Sequence, residues 1–464
     1  MRIKFLILRY ILLSILSVCM SATLFAQTDT LRVMAYNVLN YGEYPLCQGP
    51  NSAYNAYLET IVRFADPDVL SLEKMGSIQT SPSDHNYTAA IGFQDSILKY
   101  ALNAAYPGRY ACCPFTNYAA SQTEGLLFYD QNKLGFVAIT CTYTNTEDFN
   151  TYKLYYKDPN LATTHDTTYL YVTVNHDISG SSSGALRGAQ IAGEMSQIQG
   201  HFSHLANMIN MGDFNLRTTS EPCYQTLTQP ADTNFRYYDP PFYPDASLTY
   251  PANWDANPGA YAKYLTTSTR ASGSVPNSCG TSGGGKDWFD HIFLSPWIIG
   301  NANYIQYIPN SFRVIGNDGS RVGISINDAP TNTAAPDSVI EALFQMSNKY
   351  PVMVDLAVSP NTTGVSLPDP ERPTTSIVGE SLPKKSVSVV NPVHADIILH
   401  VSDNLIGHEI FVKCADALGR ILIDKTILVD NGIVNIPYKF IPGVYYINIT
   451  DDINILNQSV LAKY

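Results

Sequence analysis

Seven short runs of apolar residues recur along most of the chain. They cover residues 31–36, 68–72, 125–129, 170–175, 208–213, 289–294 and 351–358. Most are continuously apolar, which is typical of strands buried on both faces of a sheet. Between them, apolar residues recur at helical spacing, at Tyr54, Leu58, Ile61, Val62 and Ala65 and again at Ile191, Met195, Ile198, Phe202 and Leu205. Strands that alternate with helices predict an α/β layered domain.

Two stretches show neither the apolar runs of strands nor the helical spacing of apolar residues. Residues 77–90 and 217–287 are irregular, and the second is rich in Pro, Tyr, Gly, Ser and Thr. Loops of this length are usually functional. An insertion that only caps the sheet is the alternative.

The ends of the chain differ from this pattern. Residues 1–26 carry Arg2, Lys4 and Arg9 before an apolar run that ends in small residues, which predicts a secretory signal peptide. No later run is long enough to span a membrane. We therefore expect a protein that is secreted or held at the cell surface.

Composition divides the remainder into two domains. Residues 27–358 form the predicted large domain, and residues 359–386, rich in Pro, Thr and Ser, read as a linker. Residues 387–464 contain short alternating strands, which predict a small all-β sandwich domain.

The net charge of the chain bears on whether it binds nucleic acid, and its cysteines bear on disulfides and metal sites. The chain has 28 Lys plus Arg against 40 Asp plus Glu, a formal net charge of −12. No basic cluster occurs, which argues against a tight nucleic-acid binder.

Outside the signal peptide, seven cysteines remain: Cys47, Cys112, Cys113, Cys141, Cys223, Cys279 and Cys414. Export permits disulfides, the odd number leaves at least one thiol unpaired, and no spacing indicates a zinc site.

The motif with the clearest chemistry is MGDFNL at residues 211–216. Asp213 and Asn215 lie two positions apart after an apolar strand, so their side chains point the same way. A carboxylate there can align or deprotonate a water, and an amide can hold a phosphate oxygen. A simple strand-end turn is the alternative.

Four further elements accompany this motif. Asn37 ends the first strand in MAYNVLN, His176 follows a strand in VNHDISG, Asp290 and His291 lie in FDHIFLS, and SNKYPV occupies residues 347–352. In this order and context the region from Leu31 to Val358 resembles the endonuclease/exonuclease/phosphatase, or DNase I-like, superfamily.

The resemblance implies a four-layer α/β sandwich, with two packed mixed β-sheets flanked by helices, that hydrolyses phosphoesters with Mg²⁺ or Mn²⁺. By residue, Asn37 matches a group near metal and phosphate, Asp213 the residue that orients water, and Asn215 a phosphate contact. His176 matches a phosphate-contacting histidine and Asp290 a metal-side carboxylate; His291 is counted with the catalytic candidates. Oxygen ligands of this kind suit Mg²⁺.

Two departures affect this chemistry. The family ends its second strand with Gln and then the metal-binding Glu, where this chain has Glu73 and Lys74. The family's last motif reads Ser-Asp-His, where this chain has Ser347, Asn348 and Lys349. Both ends of the catalytic apparatus are substituted.

A lysine where a cation should bind lowers metal affinity. Glu73 replaces the lost ligand only through a one-residue slip or bulge, because neighbouring strand residues face opposite sides. Lys349, with an ordinary pKa near 10.4, is a poor substitute for imidazole. Alternatively, Lys74 and Lys349 neutralise Asp213 and Asp290, and the pocket binds phosphate without metal or merely keeps buried carboxylates paired.

The C-terminal domain carries a second resemblance. Asn391, Pro392, the turn Leu418-Gly419-Arg420 and the segment 442–445 resemble the sorting domain of the type IX secretion pathway in bacteria of the Bacteroidetes type. This implies the type IX machinery as a partner and export to the cell surface or medium. A generic adhesive module is the alternative.

Three functions follow as hypotheses. The leading one is a secreted binding module with a degenerate phosphoesterase site, no required cofactor and a phosphate-containing ligand or nucleic acid as partner. The second is an active extracellular Mg²⁺- or Mn²⁺-dependent nuclease or phosphodiesterase with Asn37 and a shifted Glu73 on the metal. The third is a surface structural protein. Divalent-metal binding distinguishes the second from the others.

Overall fold

The computed structural model describes residues 28–42, 51–76, 88–245, 247–271, 280–372, 387–389, 396–402, 405–451 and 455–463. The chain forms two compact units, Met1–Arg372 and Pro373–Tyr464. The predicted signal peptide lies outside the described residues. No helix in the described part is both long and apolar enough to cross a membrane.

The first unit alternates strands with helices. Its strands are β1 (Asp29–Tyr41), β2 (Val69–Gly76), β3 (Tyr110–Cys112), β4 (Thr123–Asp130), β5 (Leu134–Thr144), β6 (Asp148–Tyr156), β7 (Tyr169–His176), β8 (Met208–Asp213), β9 (Asp290–Leu294), β10 (Ile305–Tyr307), β11 (Arg313–Val314) and β12 (Val352–Val358). Its α-helices are α1 (Asn51–Ala65), α2 (Thr88–Ile97), α3 (Asn103–Ala105), α4 (Leu161–Thr164), α5 (Gly184–His201), α6 (Pro222–Thr228), α7 (Pro296–Gly300) and α8 (Asp337–Met346). A π-helix spans Leu98–Leu102, and 3₁₀ turns span Thr233–Phe235 and Pro258–Tyr264.

These strands form two mixed sheets. The first has the order β10-β12-β1-β2-β4-β3, with β11 paired to β12, and the second has the order β5-β6-β7-β8-β9. Strand β1 is parallel to β2 and antiparallel to β12, while β7 is parallel to β8 and the other pairs of the second sheet are antiparallel. All seven predicted strands are present.

The two sheets pack face to face. Strands β1 and β2 of the first sheet contact β7 and β8 of the second. Helices α1 and α8 pack together and bury Leu58 and Ile340 in the core that includes the first sheet, while α5 and α6 bury Ile191 and Leu227 in the core beside the second. The architecture is therefore the predicted four-layer α/β sandwich, and continuously apolar β1, with Leu31 and Val33 fully buried, lies in its interior.

The pattern of apolar residues does not predict several of the observed elements. Strands β5 and β6 carry Thr, Tyr and charged residues among their apolar ones, and β3, β10 and β11 span only two or three residues. The stretch 217–287, expected to be irregular, contains α6 and two 3₁₀ turns. Short or mixed-polarity elements are positioned by tertiary packing, which a local period does not reveal.

The second unit is all-β, as predicted. Strands β13 (Val387–Val389), β14 (Ile397–Val401) and β17 (Ile433–Ile436) form one sheet, and β16 (Ile421–Leu428), β15 (Glu409–Asp416), β18 (Gly443–Thr450) and β19 (Ile455–Lys463) form another, in those orders. Gly419, with φ +78°, forms the turn between β15 and β16. Asn391 and Pro392 lie outside the described residues.

The structure describes five of the seven cysteines that follow the predicted signal peptide. Cys112, Cys113, Cys141, Cys223 and Cys414 are free thiols within the described residues, and all but Cys112 are buried. Cys47 and Cys279 lie outside the described residues.

The first unit extends beyond the predicted boundary at residue 358. We name residues 359–372 the strap. In the strap, Asp369 and Glu371 form ion pairs with Lys153 on β6, the latter at 2.7 Å, and both accept hydrogen bonds from the Tyr171 hydroxyl. The strap's content of Pro, Ser and Thr predicts a linker, but its acidic side chains contact β6 and β7 of the second sheet.

We predict that Lys153→Ala destabilises the first unit by about 1–3 kcal/mol, because two partly buried carboxylates lose their cation. Glu59→Ala, which removes an exposed helical ion pair with Arg63, should cost less than about 0.5 kcal/mol. Urea unfolding followed by tryptophan fluorescence measures this directly, since Trp254, Trp288 and Trp297 are the chain's three tryptophans and all lie in the first unit. Equal midpoints for the two variants would show that the strap contributes nothing.

Candidate functional site

The site lies where strands of both sheets end. His176 ends β7 and Asp213 ends β8, and the two are paired in register because these strands are parallel. Asp290 begins antiparallel β9 directly opposite Asp213. Together with Asn37 on β1, these residues surround one end of the sandwich, as the motifs predict.

A glycine makes this arrangement possible. Gly212, within MGDFNL, has φ +140°, and a Cβ there would lie 2.0 Å from the carbonyl oxygen of Asn175 on β7. A side chain would separate β7 from β8. Gly212 therefore allows His176 and Asp213 to be neighbours.

The described side chains enclose a cleft of about 380 Å³. Hydroxyl and amide side chains provide eight of the eighteen described lining residues, and the titratable ones are two lysines, one histidine and three carboxylic acids. The lining residues are Asn37, Leu39, Lys74, Ser121, Thr123, Thr146, Glu147, His176, Asp177, Ile178, Ser179, Asp213, Asn215, Gly280, Thr281, Phe289, Asn348 and Lys349.

Lys349 reaches the centre of the site. Its Nζ lies 2.8 Å from Asp213 Oδ2 and 3.8 Å from Asp290 Oδ2, and 4.4 Å from the centre of the Phe289 ring. Lys349 is 5% exposed and both aspartates are 1% exposed. The ammonium group is thus held in a site nearly closed to water, where its charge interacts strongly with both carboxylates.

Burial and nearby charges shift the pKa values of Asp213 and Asp290 in opposite directions. For Asp213, burial acts to raise the pKa, but the charges of Lys349 and His176, with the hydrogen bond from Asn37, outweigh it and lower the pKa. For Asp290, burial raises the pKa to about 7, Asp213 adds to the rise and Lys349 opposes it. Asp213 is therefore the ionised partner of the ion pair.

Lys349 stays charged in this setting. Burial acts to lower its pKa, but Asp213 and Asp290 outweigh that effect and raise the pKa above the ordinary value. A lysine that holds its proton this firmly is not a general base, so the group replaces charge rather than the acid–base function of a histidine.

Two amides orient Asp213. Asn37 Nδ2 donates a hydrogen bond to Asp213 Oδ2 at 2.8 Å, and the backbone N–H of Asn215 donates to Oδ1 at 3.1 Å. The Asn215 side chain donates its Nδ2 to the carbonyl of Asp177 at 2.8 Å. Asn215 therefore lies at the cleft as predicted, but its amide nitrogen already has an acceptor.

His176 is paired with an acid that the motifs did not reveal. Its Nδ1 lies 2.7 Å from Glu147 Oε1, and Glu147 also accepts a hydrogen bond from the Thr123 hydroxyl. Burial acts to lower the pKa of His176, but Glu147 and Asp213 outweigh it and raise the pKa, while Lys74 opposes them. The imidazole is therefore biased towards its cationic form.

Strand β2 contains a bulge, the feature through which Glu73 could have replaced the lost ligand. Its pairing with β4 shifts register between Leu72 and Met75, and Lys74 has φ +57°. This bulge places Lys74 in the wall of the cleft, whereas Glu73 is fully buried and accepts a hydrogen bond from Ser71. The bulge therefore does not bring Glu73 into the cleft.

Burial also affects the ionisation of Glu73. Burial raises its pKa well above the ordinary value, the Ser71 hydrogen bond opposes the rise, and Asp290 and Asp213 add to it. A metal ligand must be deprotonated. Here the carboxyl group is held neutral inside the protein.

Of the two remaining candidates, Asn348 and His291, only the first reaches the cleft. Asn348 lines the cleft and donates Nδ2 to the Thr281 hydroxyl at 2.7 Å. His291 does not reach the cleft: it is fully buried, its Nδ1 lies 3.1 Å from Asp239 Oδ2, and its ring stacks on Trp288 at 4.7 Å. Because it follows Asp290 on a strand, its side chain points to the opposite face.

The donor set does not fit Mg²⁺ or Mn²⁺. Lys349 already pairs with Asp213, and Lys74 brings a second positive charge to the cleft wall. Within the described ranges no group of three or more His, Cys, Asp and Glu side chains is arranged to hold a metal ion. A hard cation needs ionised oxygen ligands, and the site offers ammonium groups in their place.

Two participants were missed by sequence reasoning. Glu147 lies in the turn between β5 and β6, and no spacing relates it to His176. Asp177 follows His176 and lines the cleft, and burial, reinforced by Glu194, raises its pKa well above the ordinary value. Only the adjacency of Asp177 to His176 offered a signal.

Comparison with known proteins gives a partial answer. No family model matches the chain, and no curated protein matches it. Similar solved structures include an endonuclease/exonuclease/phosphatase from Beutenbergia cavernae (12% identity, 94% of this chain, 100% of that chain, TM-score 0.36). Others are the human Nocturnin catalytic domain with bound sulfate (13%, 72%, 98%, 0.38) and ANGEL2, a 2′,3′-cyclic phosphatase (12%, 72%, 97%, 0.42).

Its structural neighbours include endonuclease/exonuclease/phosphatase proteins. At these identities and TM-scores the likeness assigns no activity to this chain. The α/β sandwich and the residues at its end carry the functional argument.

We predict that Lys349→Met destabilises the first unit by about 3–5 kcal/mol, because it leaves Asp213 and Asp290 buried without a cation. The double variant Lys349→Met/Asp213→Asn should regain more than half of that loss, since the unpaired charge is removed. Urea unfolding followed by tryptophan fluorescence measures the free energy of unfolding of both variants. Lys286→Met, the same change at an exposed lysine, is the matched control and should stay within about 0.5 kcal/mol.

We predict that His176 titrates above the ordinary histidine pKa of about 6.5 and that Glu147→Gln lowers its pKa, because burial then dominates. A raised folded-state pKa stabilises the protein below pH of about 6.5, and this contribution is lost as pH rises through the folded-state value. Histidine NMR titration of wild type, Glu147→Gln and His176→Gln assigns the signal and measures the shift. An unchanged pKa in Glu147→Gln would contradict the assignment.

Proposed function

We propose that this protein is a secreted member of the endonuclease/exonuclease/phosphatase superfamily whose cleft binds a phosphate-containing ligand without metal and without metal-dependent hydrolysis. The observation that carries the proposal is the 2.8 Å ion pair between Lys349 and Asp213. Superfamily membership is supported by the motifs from Asn37 to Lys349, by their convergence at one end of an α/β sandwich, and by the order of the strands that carry them.

The charge of the cleft supports an anionic ligand. Lys74, Lys349 and the cation-biased His176 line it, and Asp213 is the partner of Lys349 in the ion pair. Burial raises the pKa of Asp177 and of the nearby Glu73, which favours their neutral forms. The cleft therefore offers cationic donors in a chain whose formal net charge is −12.

A phosphate group matches this wall better than a carboxylate does. Lys74 and His176 supply cationic donors, and the hydroxyls of Ser121, Thr146 and Ser179 supply neutral ones. Such donors suit an oxyanion with several acceptor oxygens. Extended nucleic acid is a poorer candidate, because its binding depends on many cationic contacts with the backbone.

Loss of hydrolysis follows from the same residues. The family's metal requires the ligand position that Lys74 fills, and its imidazole position is filled by Lys349, which stays protonated. Positioned acid–base groups typically contribute about 10²- to 10⁴-fold to rate. The runner-up enzyme hypothesis required Glu73 in the cleft, and Glu73 is buried beneath it.

The location belongs to the proposal too. Residues 1–26 support export, and the C-terminal all-β unit, with its Leu418-Gly419-Arg420 turn, supports recognition by the type IX secretion machinery. The protein would then act at the cell surface or in the medium.

We predict that the full chain binds inorganic phosphate in EDTA and that added Mg²⁺ does not tighten binding. Lys74→Met should weaken it about 10-fold or more, because a charge-assisted hydrogen bond contributes about 1.5–3 kcal/mol. Isothermal titration calorimetry measures both, with Lys286→Met as the matched control. No phosphate binding by a folded wild type would leave the structural-protein alternative.

Hydrolysis provides the opposite test. Plasmid DNA and bis-p-nitrophenyl phosphate, incubated with the protein and Mg²⁺, Mn²⁺ or Ca²⁺, should show no turnover above an Asp213→Ala control. Metal-dependent turnover that this control abolishes would overturn the proposal and restore the enzyme hypothesis.

A further inference from the structure

The loop that joins β3 to β4, residues 113–122, forms part of the cleft wall but has no regular secondary structure of its own. Ser121, near its end, and Thr123, the first residue of β4, both line the cleft. Ala120 has φ +55°, a left-handed conformation that an alanine adopts only where its surroundings hold it. Contacts from outside the loop therefore determine where Ser121 lies.

Asp148, the first residue of β6, supplies three such contacts. Its Oδ2 accepts hydrogen bonds from the Thr116 hydroxyl at 2.6 Å and from the backbone N–H of Tyr118 at 2.7 Å. Its Oδ1 accepts the backbone N–H of Ala119 at 3.0 Å. Asp148 is 3% exposed, so water competes little for these oxygens. Hydrogen bonds to a carboxylate in such surroundings are stronger than those between neutral groups.

Asn117 connects these contacts to Ser121. It is 1% exposed, its Oδ1 accepts the N–H of Ser121 at 2.8 Å, and its Nδ2 donates to the Ser121 carbonyl at 3.0 Å. Asp148 holds the residues on both sides of Asn117. The hydrogen bonds therefore run from Asp148 through Asn117 to the wall of the cleft.

Glu147, the neighbour of Asp148, secures the other end of the loop. It accepts a hydrogen bond from the Thr123 hydroxyl, and its Oε1 lies 2.7 Å from His176 Nδ1. Two consecutive acidic residues thus tie both the loop and the imidazole to the turn between β5 and β6. Asp148 is not among the described residues that line the cleft, so its effect on a ligand is indirect.

We infer that Asp148 is a positioning residue of the cleft, which holds the β3–β4 loop so that Ser121 contacts the ligand phosphate. The inference rests on the proposed function. A loop that is ordered before the ligand arrives loses less conformational entropy on binding. Without Asp148, the loop must become ordered when phosphate binds, and the affinity falls.

Calorimetry of the full chain with inorganic phosphate in EDTA tests the inference. Asp148→Asn leaves one acceptor oxygen in place of two and should weaken binding about 10-fold, since part of the binding free energy then orders the loop. The matched control is Asp158→Asn, just past the other end of β6. Asp158 is 5% exposed and accepts the backbone N–H groups of Asn160 at 2.7 Å and Asn361 at 2.6 Å. Both variants should lose stability, but Asp158→Asn should keep the wild-type affinity.

A double-mutant cycle separates positioning from a purely structural role. Because Asp148 acts through Ser121, Asp148→Asn should cost little further affinity in a Ser121→Ala background. Thr116→Val removes one of the three donors and keeps the shape of the side chain, so it should weaken binding about threefold. This milder variant decides the question if Asp148→Asn does not fold.

Hydrogen exchange checks the contact itself without any ligand. The amides of Tyr118 and Ala119 should be protected in wild type and should exchange faster in Asp148→Asn. If wild type does not bind phosphate, the proposed function fails and this inference with it. If wild type binds phosphate, the inference alone is overturned by an unchanged affinity in the loop variants, an equal loss in Asp158→Asn, an additive cycle or unprotected amides.

Discussion

A lysine ammonium held against two buried aspartates is the interaction on which the candidate site depends. Strands β8 and β9 place Asp213 and Asp290 opposite each other, and two carboxylates in such a setting cannot both ionise without a cation nearby. Lys349 supplies that cation as a permanent part of the chain. A tethered ammonium can balance the charge of these carboxylates, but it has no coordination geometry to offer a substrate.

The backbone around this ion pair determines which groups reach the ligand. Gly212 lets β7 approach β8, which brings His176 beside Asp213. The bulge in β2 turns Lys74 into the cleft and leaves Glu73 buried beneath it. Strand geometry therefore makes Lys74, and not Glu73, part of the cleft wall.

Much of this arrangement follows from sequence. Continuous apolar runs identified the central strands because both of their faces are buried, and the spacing in MGDFNL placed Asp213 and Asn215 at one strand end. The lysine substitutions were visible as departures at Lys74 and Lys349. These features are local, so a short window of sequence contains them.

The rest depends on contacts between distant segments. Glu147 pairs with His176 across two strands, and no periodicity connects them. His291 belongs to a buried aromatic cluster because strand parity sends it away from Asp290. Residues 359–372 looked like linker from composition, yet Lys153 anchors them to the first unit. Tertiary ion pairs of this kind leave no mark on local composition.

Binding of Mn²⁺, followed by the electron paramagnetic resonance signal of the free ion, tests the central claim most directly. If Lys349 has replaced the metal, titration of the protein into Mn²⁺ at neutral pH will leave the free-ion signal the same for wild type and for Asp213→Asn. Stoichiometric loss of the signal with wild type, abolished by Asp213→Asn, would show that the cleft still holds a metal ion and would contradict the account.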